Sequence, residues 1–211
     1  MTHGFLSLLA VSLCVHSCYL NSTVQQLFMI PTVRRNLLSA RASAHDGTPP
    51  SQSTLFQLQT IMAFLQGSEK QSYDPQGLCK TFTDPDGNPL NVGVQEDAAG
   101  FVTRLIDKIV ETVDKGSEEG AALKTALYGQ TADVFQGHPP RCAHTKERLE
   151  EFAVIGLGVR NCKTLQDSLR AFVAGEVMEG SNAYKCTQCD AKVTHHTRRQ
   201  ERGRGSAPLV C

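Results

Sequence analysis

The chain has 211 residues, of which 40% are hydrophobic and 20% are charged. This is enough apolar material for one domain or two small ones, and it excludes a chain that is disordered throughout. Lys and Arg together number 21, as do Asp and Glu, so the formal net charge is +0. Because a balanced chain has no global field toward polyanions, we expect no nucleic-acid and no membrane partner, and recognition through a local site.

The N-terminus begins with an apolar run at residues 4–15 that has the length of a secretory signal peptide. Val15 and Ser17 are small enough to flank a cleavage site before Cys18. However, no Lys or Arg occurs in the run or before it, and it is too short to span a bilayer. We therefore predict a divergent apolar N-terminus over residues 1–13 of a cytoplasmic, or nuclear, protein, with secretion as the alternative.

Three segments of the first half have the apolar spacing of amphipathic helices. The first begins at or near Cys18, and Pro31 ends it. A polar linker over residues 39–53 precedes the second, in residues 53–70, and the third covers residues 96–116. The apolar positions are Leu20, Val24, Leu27 and Phe28; Leu55, Leu58, Ile61, Met62 and Leu65; and Ala98, Phe101, Val102, Leu105, Ile106, Ile109, Val110 and Val113.

From about residue 130 the pattern becomes mixed. Residues 151–159 alternate between apolar and other residues like a strand, and residues 163–175 have the spacing of a short helix. Residues 183–197 read as a strand that is interrupted by the turn of a CxxC motif. The whole pattern predicts an α+β fold.

The eight cysteines are spread too unevenly for the disulfide framework of a small secreted domain. Only Cys186 and Cys189 form a CxxC pair, a spacing that suits two thiolates of a zinc knuckle. Free thiols are the simpler interpretation of the others. The chain ends in a basic stretch over residues 199–211, which has glycines between its arginines and no aromatic residue, and we predict a solvated, disordered tail there.

Four stretches resemble the ubiquitin-specific proteases, papain-like cysteine hydrolases that remove ubiquitin. SCYLNSTVQQLF, residues 17–28, is similar to the cysteine box that opens the first helix of the thumb subdomain. YDPQGLCKTF, residues 73–82, resembles the large members of the fat-facets type, and QEDAAGF, residues 95–101, is similar to the Gln and Asp box. NAYKCTQCDAKV, residues 182–193, resembles a segment of the fingers subdomain.

The resemblance implies a helical thumb over residues 14–128 and the start of a β-rich fingers subdomain over residues 129–198, without the palm subdomain. It implies hydrolysis of the bond after the C-terminal glycine of ubiquitin, with ubiquitin and ubiquitinated proteins as partners and Cys18 as the nucleophile. A helix N-terminus suits that role, because its unpaired N–H groups favour a thiolate.

Several family features are missing from these residues. Leu13 and Val15 stand where the cysteine box has an Asn, which helps to form the oxyanion hole, and a Gly. Gly100 stands where the Gln and Asp box has a Glu, so we expect a locally weakened helix there. None of the seven histidines has the context of the catalytic His, which the family supplies from the palm together with an Asp or Asn. We therefore expect a chain that is inactive alone. The alternatives are a non-catalytic ubiquitin-binding remnant and, least favoured, a secreted cysteine-containing protein.

Relatives with a structural zinc use two CxxC pairs. Cys186 and Cys189 form the second pair, whereas the first retains Cys142 alone, with Pro139 in the place of its partner. We predict His138 as the fourth ligand of one structural zinc, with His144 as the alternative for that ligand and metal-free fingers as the alternative to a zinc site. We expect no catalytic cofactor.

Overall fold

The computed structural model describes residues 18–43, 49–70, 72–84, 86–91, 93–201 and 209–210. The chain divides into two compact units, residues 1–127 and residues 128–211. Three predictions concern residues outside the described part. They are the divergent N-terminus over residues 1–13, the departures from the cysteine box at Leu13 and Val15, and the cleavage site before Cys18. None of the helices in the described ranges has both the length and the hydropathy that a membrane crossing requires.

The described part of the first unit is built from α-helices. They are α1 (Cys18–Met29), α2 (Pro31–Ser39), α3 (Thr54–Gly67), α4 (Gln76–Thr81), α5 (Ala98–Thr112) and α6 (Glu118–Leu127). Pro31 ends α1 as predicted, and it also begins α2, because the first turn of a helix does not need the N–H that proline lacks. Ser53 caps α3 by accepting a hydrogen bond from the backbone N–H of Phe56.

The core of this unit is formed by the faces that the apolar spacing predicts on α1, α3 and α5. All the predicted positions are buried except Ala98, which is exposed. α5 ends at Thr112 rather than at Gly116. Val113 leaves the helix because it pairs with Ala42 in an antiparallel bridge, so tertiary pairing rather than the glycine ends α5.

The second unit contains a four-stranded antiparallel sheet, a hairpin and one helix. Its elements are β1 (Gly129–Gly137), β2 (Thr145–Phe152), β3 (Val154–Ile155), α7 (Leu165–Val173), β4 (Val177–Met178), β5 (Tyr184–Cys186), β6 (Ala191–Val193), β7 (His195–Glu201) and β8 (Leu209–Val210). The sheet has the order β2-β1-β7-β4, while β5 pairs with β6 and β3 pairs in parallel with β8. The α+β prediction is confirmed.

Two predictions in this unit need correction. The strand expected over residues 151–159 is wrong for most of its length, because only Val154 and Ile155 pair after β2 ends, and Val159 is 76% exposed. The long strand is instead β2, whose sequence TKERLEEF has too few apolar residues to show alternation. The disordered tail expected over residues 199–211 is also wrong where the structure describes it, since β7 continues to Glu201 and β8 covers Leu209–Val210. Residues 202–208 and 211 lie outside the described part.

Arg199 belongs to the sheet because it pairs with Asp133, which is directly opposite it on β1. Its Nε donates to Oδ1 of Asp133 at 2.7 Å and its Nη2 donates to Oδ2 at 3.2 Å. The guanidinium also lies over the ring of Phe172 in α7, 4.8 Å from the centroid. The hydrogen bond from Arg199 holds the pKa of Asp133 below its usual range.

We expect Asp133→Asn to lower the free energy of unfolding by about 1 kcal/mol at neutral pH, a value reduced for partial exposure of the pair. A depressed carboxyl pKa stabilises the fold above the unfolded value of about 3.9, and this contribution is lost as the pH falls through the folded value. Chemical denaturation of wild type and variant should therefore converge in acid. Glu111→Gln, in an exposed pair with Lys108, is the control with little effect, and equal loss in both variants would contradict the account.

Candidate functional site

Cys18 is the first residue of α1, and its thiol is free and exposed. The next residue, Tyr19, is buried and packs edge-on against Phe101 of α5, with ring centroids 4.9 Å apart. The helix start therefore projects one cysteine to the surface, while its neighbour fixes α1 against α5. None of the six described cysteines is joined in a disulfide.

An open groove of about 650 Å³ lies beside Cys18. It is lined by Cys18, Tyr19 and Ser22 of α1 and by Gln95, Glu96, Asp97 and Ala98 at the start of α5. The structure thus brings together the two stretches that the sequence singled out for similarity to the cysteine box and to the Gln and Asp box, although 66 residues lie between them.

The start of α5 is held in place by its acidic residues. Asp97 caps the helix, because its Oδ2 accepts a hydrogen bond from the N–H of Gly100 at 2.7 Å. Glu96 forms an ion pair with Arg104, whose guanidinium lies 5.9 Å from the ring centroid of Phe82. Both carboxylates next to the groove therefore have structural partners.

Gly100 does not interrupt α5, which runs unbroken from Ala98 to Thr112. The glycine lies in the first turn, and an added Cβ would be 3.4 Å from the nearest atom, Oδ2 of Asp97. The weakened helix that was expected at Gly100 is therefore not visible as a break.

The groove presents the thiol of Cys18 without a neighbouring imidazole. Of the lining residues, all of which belong to the described part, none is a histidine. Burial, together with the negative charge of Glu96, raises the pKa of Tyr19 to about 12, so this phenol stays protonated at neutral pH. The arrangement can present a nucleophilic sulfur, but its lining contains no imidazole, the group that most often accepts the proton in such chemistry.

The second unit contains a compact group of metal-ligand atoms. One donor atom from each of Cys142, His144, Cys186 and Cys189 lies within 4.8 Å of all the others. Nδ1 of His144 lies 3.8 Å from Sγ of Cys142, 3.6 Å from Sγ of Cys186 and 3.3 Å from Sγ of Cys189. Tetrahedral zinc bonds to sulfur and nitrogen would separate such atoms by about 3.6 Å. The donor set can therefore hold a metal ion.

Two local turns build this group. The β5–β6 hairpin carries Cys186 and Cys189, and Asp190 closes its turn with φ of 49°, a left-handed conformation that Asp tolerates. The loop between β1 and β2 carries Cys142 and His144, and the carbonyl of His144 accepts a hydrogen bond from the N–H of Gly137 at 2.9 Å. Each turn supplies two donors.

The sulfurs of the hairpin differ in acidity. Backbone N–H groups of Cys189 and Gln188 lower the pKa of Cys186 to about 6. Burial, with the neighbouring sulfurs of Cys142 and Cys186, raises the pKa of Cys189 to about 11. Because a metal must displace the remaining thiol protons, its affinity for this group should fall as the pH is lowered.

His138, the predicted fourth ligand, is not part of the group, and the alternative ligand His144 takes its place. A Cβ added to Gly137, the last residue of β1, would lie 2.4 Å from Sγ of Cys142, so this position faces the sulfurs. His138 is the next residue, and because adjacent residues of an extended chain face opposite sides, its side chain faces away from them. Its ring instead contacts that of His196, with centroids 5.5 Å apart.

His195 and His196 lie near the CxxC motif, and the sequence predicts that they could bind a metal but face opposite sides of a strand. The structure brings His195 against the group. As predicted for adjacent strand residues, His195 and His196 differ in environment, His195 being 2% exposed and His196 exposed. Nε2 of His195 lies 4.0 Å from Sγ of Cys142. No spacing rule links residues 142 and 195, because the contact depends on the pairing of β1 with β7.

We expect Gly137→Ala to weaken metal binding at least about tenfold, because the new methyl group would overlap both the sulfur and the carbonyl oxygen of Cys142. The control is Gly158→Ala, where a Cβ meets no atom within 4 Å. Competition with a chromophoric chelator measures both affinities. If Gly137→Ala binds metal as tightly as Gly158→Ala, the close approach of Gly137 to Cys142 is not part of the site.

Comparison with known proteins identifies a family match. The family described as ubiquitin carboxyl-terminal hydrolase matches residues 12–198. Ubiquitin carboxyl-terminal hydrolase 24 of Mus musculus is 38% identical over 176 residues, which are 83% of this chain and 6% of the relative. Ubiquitin carboxyl-terminal hydrolase 34 of Homo sapiens is 34% identical over 84% of this chain and 5% of the relative.

A third relative comes from an insect. Ubiquitin carboxyl-terminal hydrolase puf of Drosophila melanogaster is 32% identical over 177 residues, 84% of this chain and 4% of the relative. The chain therefore spans less than a tenth of the length of these relatives.

Proposed function

The chain belongs to the ubiquitin carboxyl-terminal hydrolase family, and on this premise we propose that it provides the nucleophile of a deubiquitinating cysteine protease. The exposed thiol of Cys18 at the start of α1, facing residues 95–98 across a groove, carries the proposal. The partners are ubiquitin and ubiquitinated proteins, and the scissile bond is the peptide or isopeptide bond after the C-terminal glycine of ubiquitin.

The proposed reaction is an acyl transfer in two steps. The Cys18 thiolate attacks the carbonyl carbon of that glycine, a C–S bond forms, and the C–N bond breaks as the amine leaves with a proton. Water then hydrolyses the thioester, which releases the ubiquitin carboxylate and the thiol. Both steps need a proton carrier, and none of the groove-lining residues serves as one, so the base must come from outside this lining.

A non-catalytic ubiquitin-binding chain is the alternative, but it would leave the exposed thiol of Cys18 without a role. Ubiquitin with a thiol-reactive electrophile at its C-terminus distinguishes the two functions. The probe should bond to Cys18 in the proposed enzyme, whereas a chain that only binds ubiquitin should leave it unreacted.

The second part of the proposal is a structural zinc at Cys142, His144, Cys186 and Cys189. Three thiolates and one imidazole are donors typical of structural zinc, and all four positions are taken by protein, which leaves none open for catalysis. When bound, the ion would join the β1–β2 loop to the β5–β6 hairpin. These residues would hold the ion through three sulfurs and Nδ1 of His144.

The proposed location is the cytoplasm, or the nucleus, where thiols stay reduced. The described cysteines support this location because none of the six is in a disulfide, whereas an oxidising compartment would favour disulfides. Asn21 also supports it, since this potential glycosylation position lies within α1. The alternative is secretion of a mature protein that begins at Cys18.

A further inference from the structure

His195 is the buried histidine at the start of β7, and the metal-ligand group does not include it. Its ring has contacts on three sides. Nδ1 lies 3.2 Å from the carbonyl oxygen of Val193, the edge of the ring meets Tyr184 with centroids 4.8 Å apart, and Nε2 lies 4.0 Å from Sγ of Cys142. These contacts restrict the position that the buried imidazole of His195 can take.

We propose that His195 is a positioning residue of the metal centre, whose ring forms the wall that holds the Cys142 sulfur within reach of the other three donors. This inference rests on the proposed zinc site and names a residue on which that site depends.

The ring itself is immobilised by its surroundings. A carbonyl oxygen can only accept, so Nδ1 of His195 donates its proton to Val193, and this hydrogen bond fixes the plane of the ring. Tyr184 supports the ring from the side and is in turn stacked on Phe135 of β1, with centroids 5.0 Å apart and an interplanar angle of 22°. Three rings in contact, Phe135, Tyr184 and His195, therefore connect β1 to the sulfur.

The ring of His195 matters because Cys142 is the one of the three sulfurs that the hairpin does not carry. Cys186 and Cys189 are held together by one short hairpin, whereas Cys142 comes from the long β1–β2 loop. Gly137 lies against Cys142 on one side and His195 on another, and Cys142 is only 2% exposed. At 4.0 Å the imidazole acts through contact rather than through a strong hydrogen bond. Without the ring, the sulfur would gain room to rotate away from the other donors.

The test uses the 211-residue chain loaded with Zn²⁺ or Co²⁺. We expect His195→Ala to speed the transfer of Zn²⁺ to a chelator by about 10- to 100-fold, and to shift the thiolate-to-cobalt absorption of the Co²⁺ form. His195→Phe, which keeps a ring in this place, should remain within about threefold of wild type. His196→Ala is the matched control, since this neighbour is exposed on the other face, and it should behave like wild type.

Wild-type release rate and an unchanged cobalt spectrum in His195→Ala would overturn the inference, as would equal impairment of His195→Phe and His195→Ala. If His195→Ala does not fold, His195→Phe decides, because a ring at this position should keep the wild-type rate of Zn²⁺ transfer to the chelator. A wild-type chain that binds neither metal would instead contradict the proposed zinc site, and with it this inference.

Discussion

Purified under reducing conditions, the chain should carry about one zinc per molecule, and Cys186→Ser should carry none. The serine hydroxyl is a poor zinc ligand, and Cys186 is the sulfur on which two backbone N–H groups converge. The variant therefore loses a donor whose pKa these N–H groups lower to about 6. Elemental analysis after gel filtration measures the metal content of both proteins.

The two histidines near this centre provide a sharp control. His144→Ala should lose zinc because Nδ1 lies within 3.8 Å of all three sulfurs. His138→Ala should keep zinc because its side chain faces His196. Zinc loss in the His138 variant with retention in the His144 variant would show that the loop is arranged differently. Absence of zinc from the wild type would favour metal-free fingers.

The 211-residue chain should release no measurable fluorophore from a ubiquitin–fluorophore conjugate. No imidazole lines the groove beside Cys18 in the described part, and general acid–base catalysis contributes roughly 10² to 10⁴ in rate. Leu13, which lies outside the described residues, stands where the resemblance to the family places an oxyanion-hole Asn, and loss of one such donor costs roughly 10² to 10³. These losses multiply, so turnover should fall below detection.

Efficient cleavage that disappears in Cys18→Ala would contradict this expectation, because it would mean that a histidine of the chain reaches the thiol. His16, two residues before Cys18, would then be the first to replace. Its change to Ala should abolish cleavage if it is the base.

The sequence predicted the helical unit well, because a buried helix face leaves a periodic trace. Leu20, Leu58 and Leu105, each on a predicted face, are fully buried. It predicted the sheet poorly, because β2 is a mostly exposed edge strand whose charged residues leave no alternation. The run at 153–159 alternates in sequence without pairing as one strand, since pairing depends on partners elsewhere in the chain.

The site predictions show the same division. The family was identified from ordered motifs, and the family match confirms it. The choice between His138 and His144 could not be made from spacing, because it depends on how the loop between β1 and β2 folds toward the hairpin. Arg199 was assigned to a disordered tail from composition alone, whereas its partner Asp133 lies 66 residues earlier. Long-range pairing was the information that the sequence lacked in both cases.

Intact mass spectrometry tests directly whether Cys18 is the nucleophile. The chain is analysed after long incubation with ubiquitin that bears a C-terminal electrophile. We expect a mass increase of one ubiquitin, with the adduct mapped to Cys18. The adduct should be absent from Cys18→Ser and present in Cys162→Ser, a matched change at another free and partly exposed cysteine. An adduct that persists in Cys18→Ser, or a wild-type chain that remains unlabelled, would contradict the assignment of Cys18.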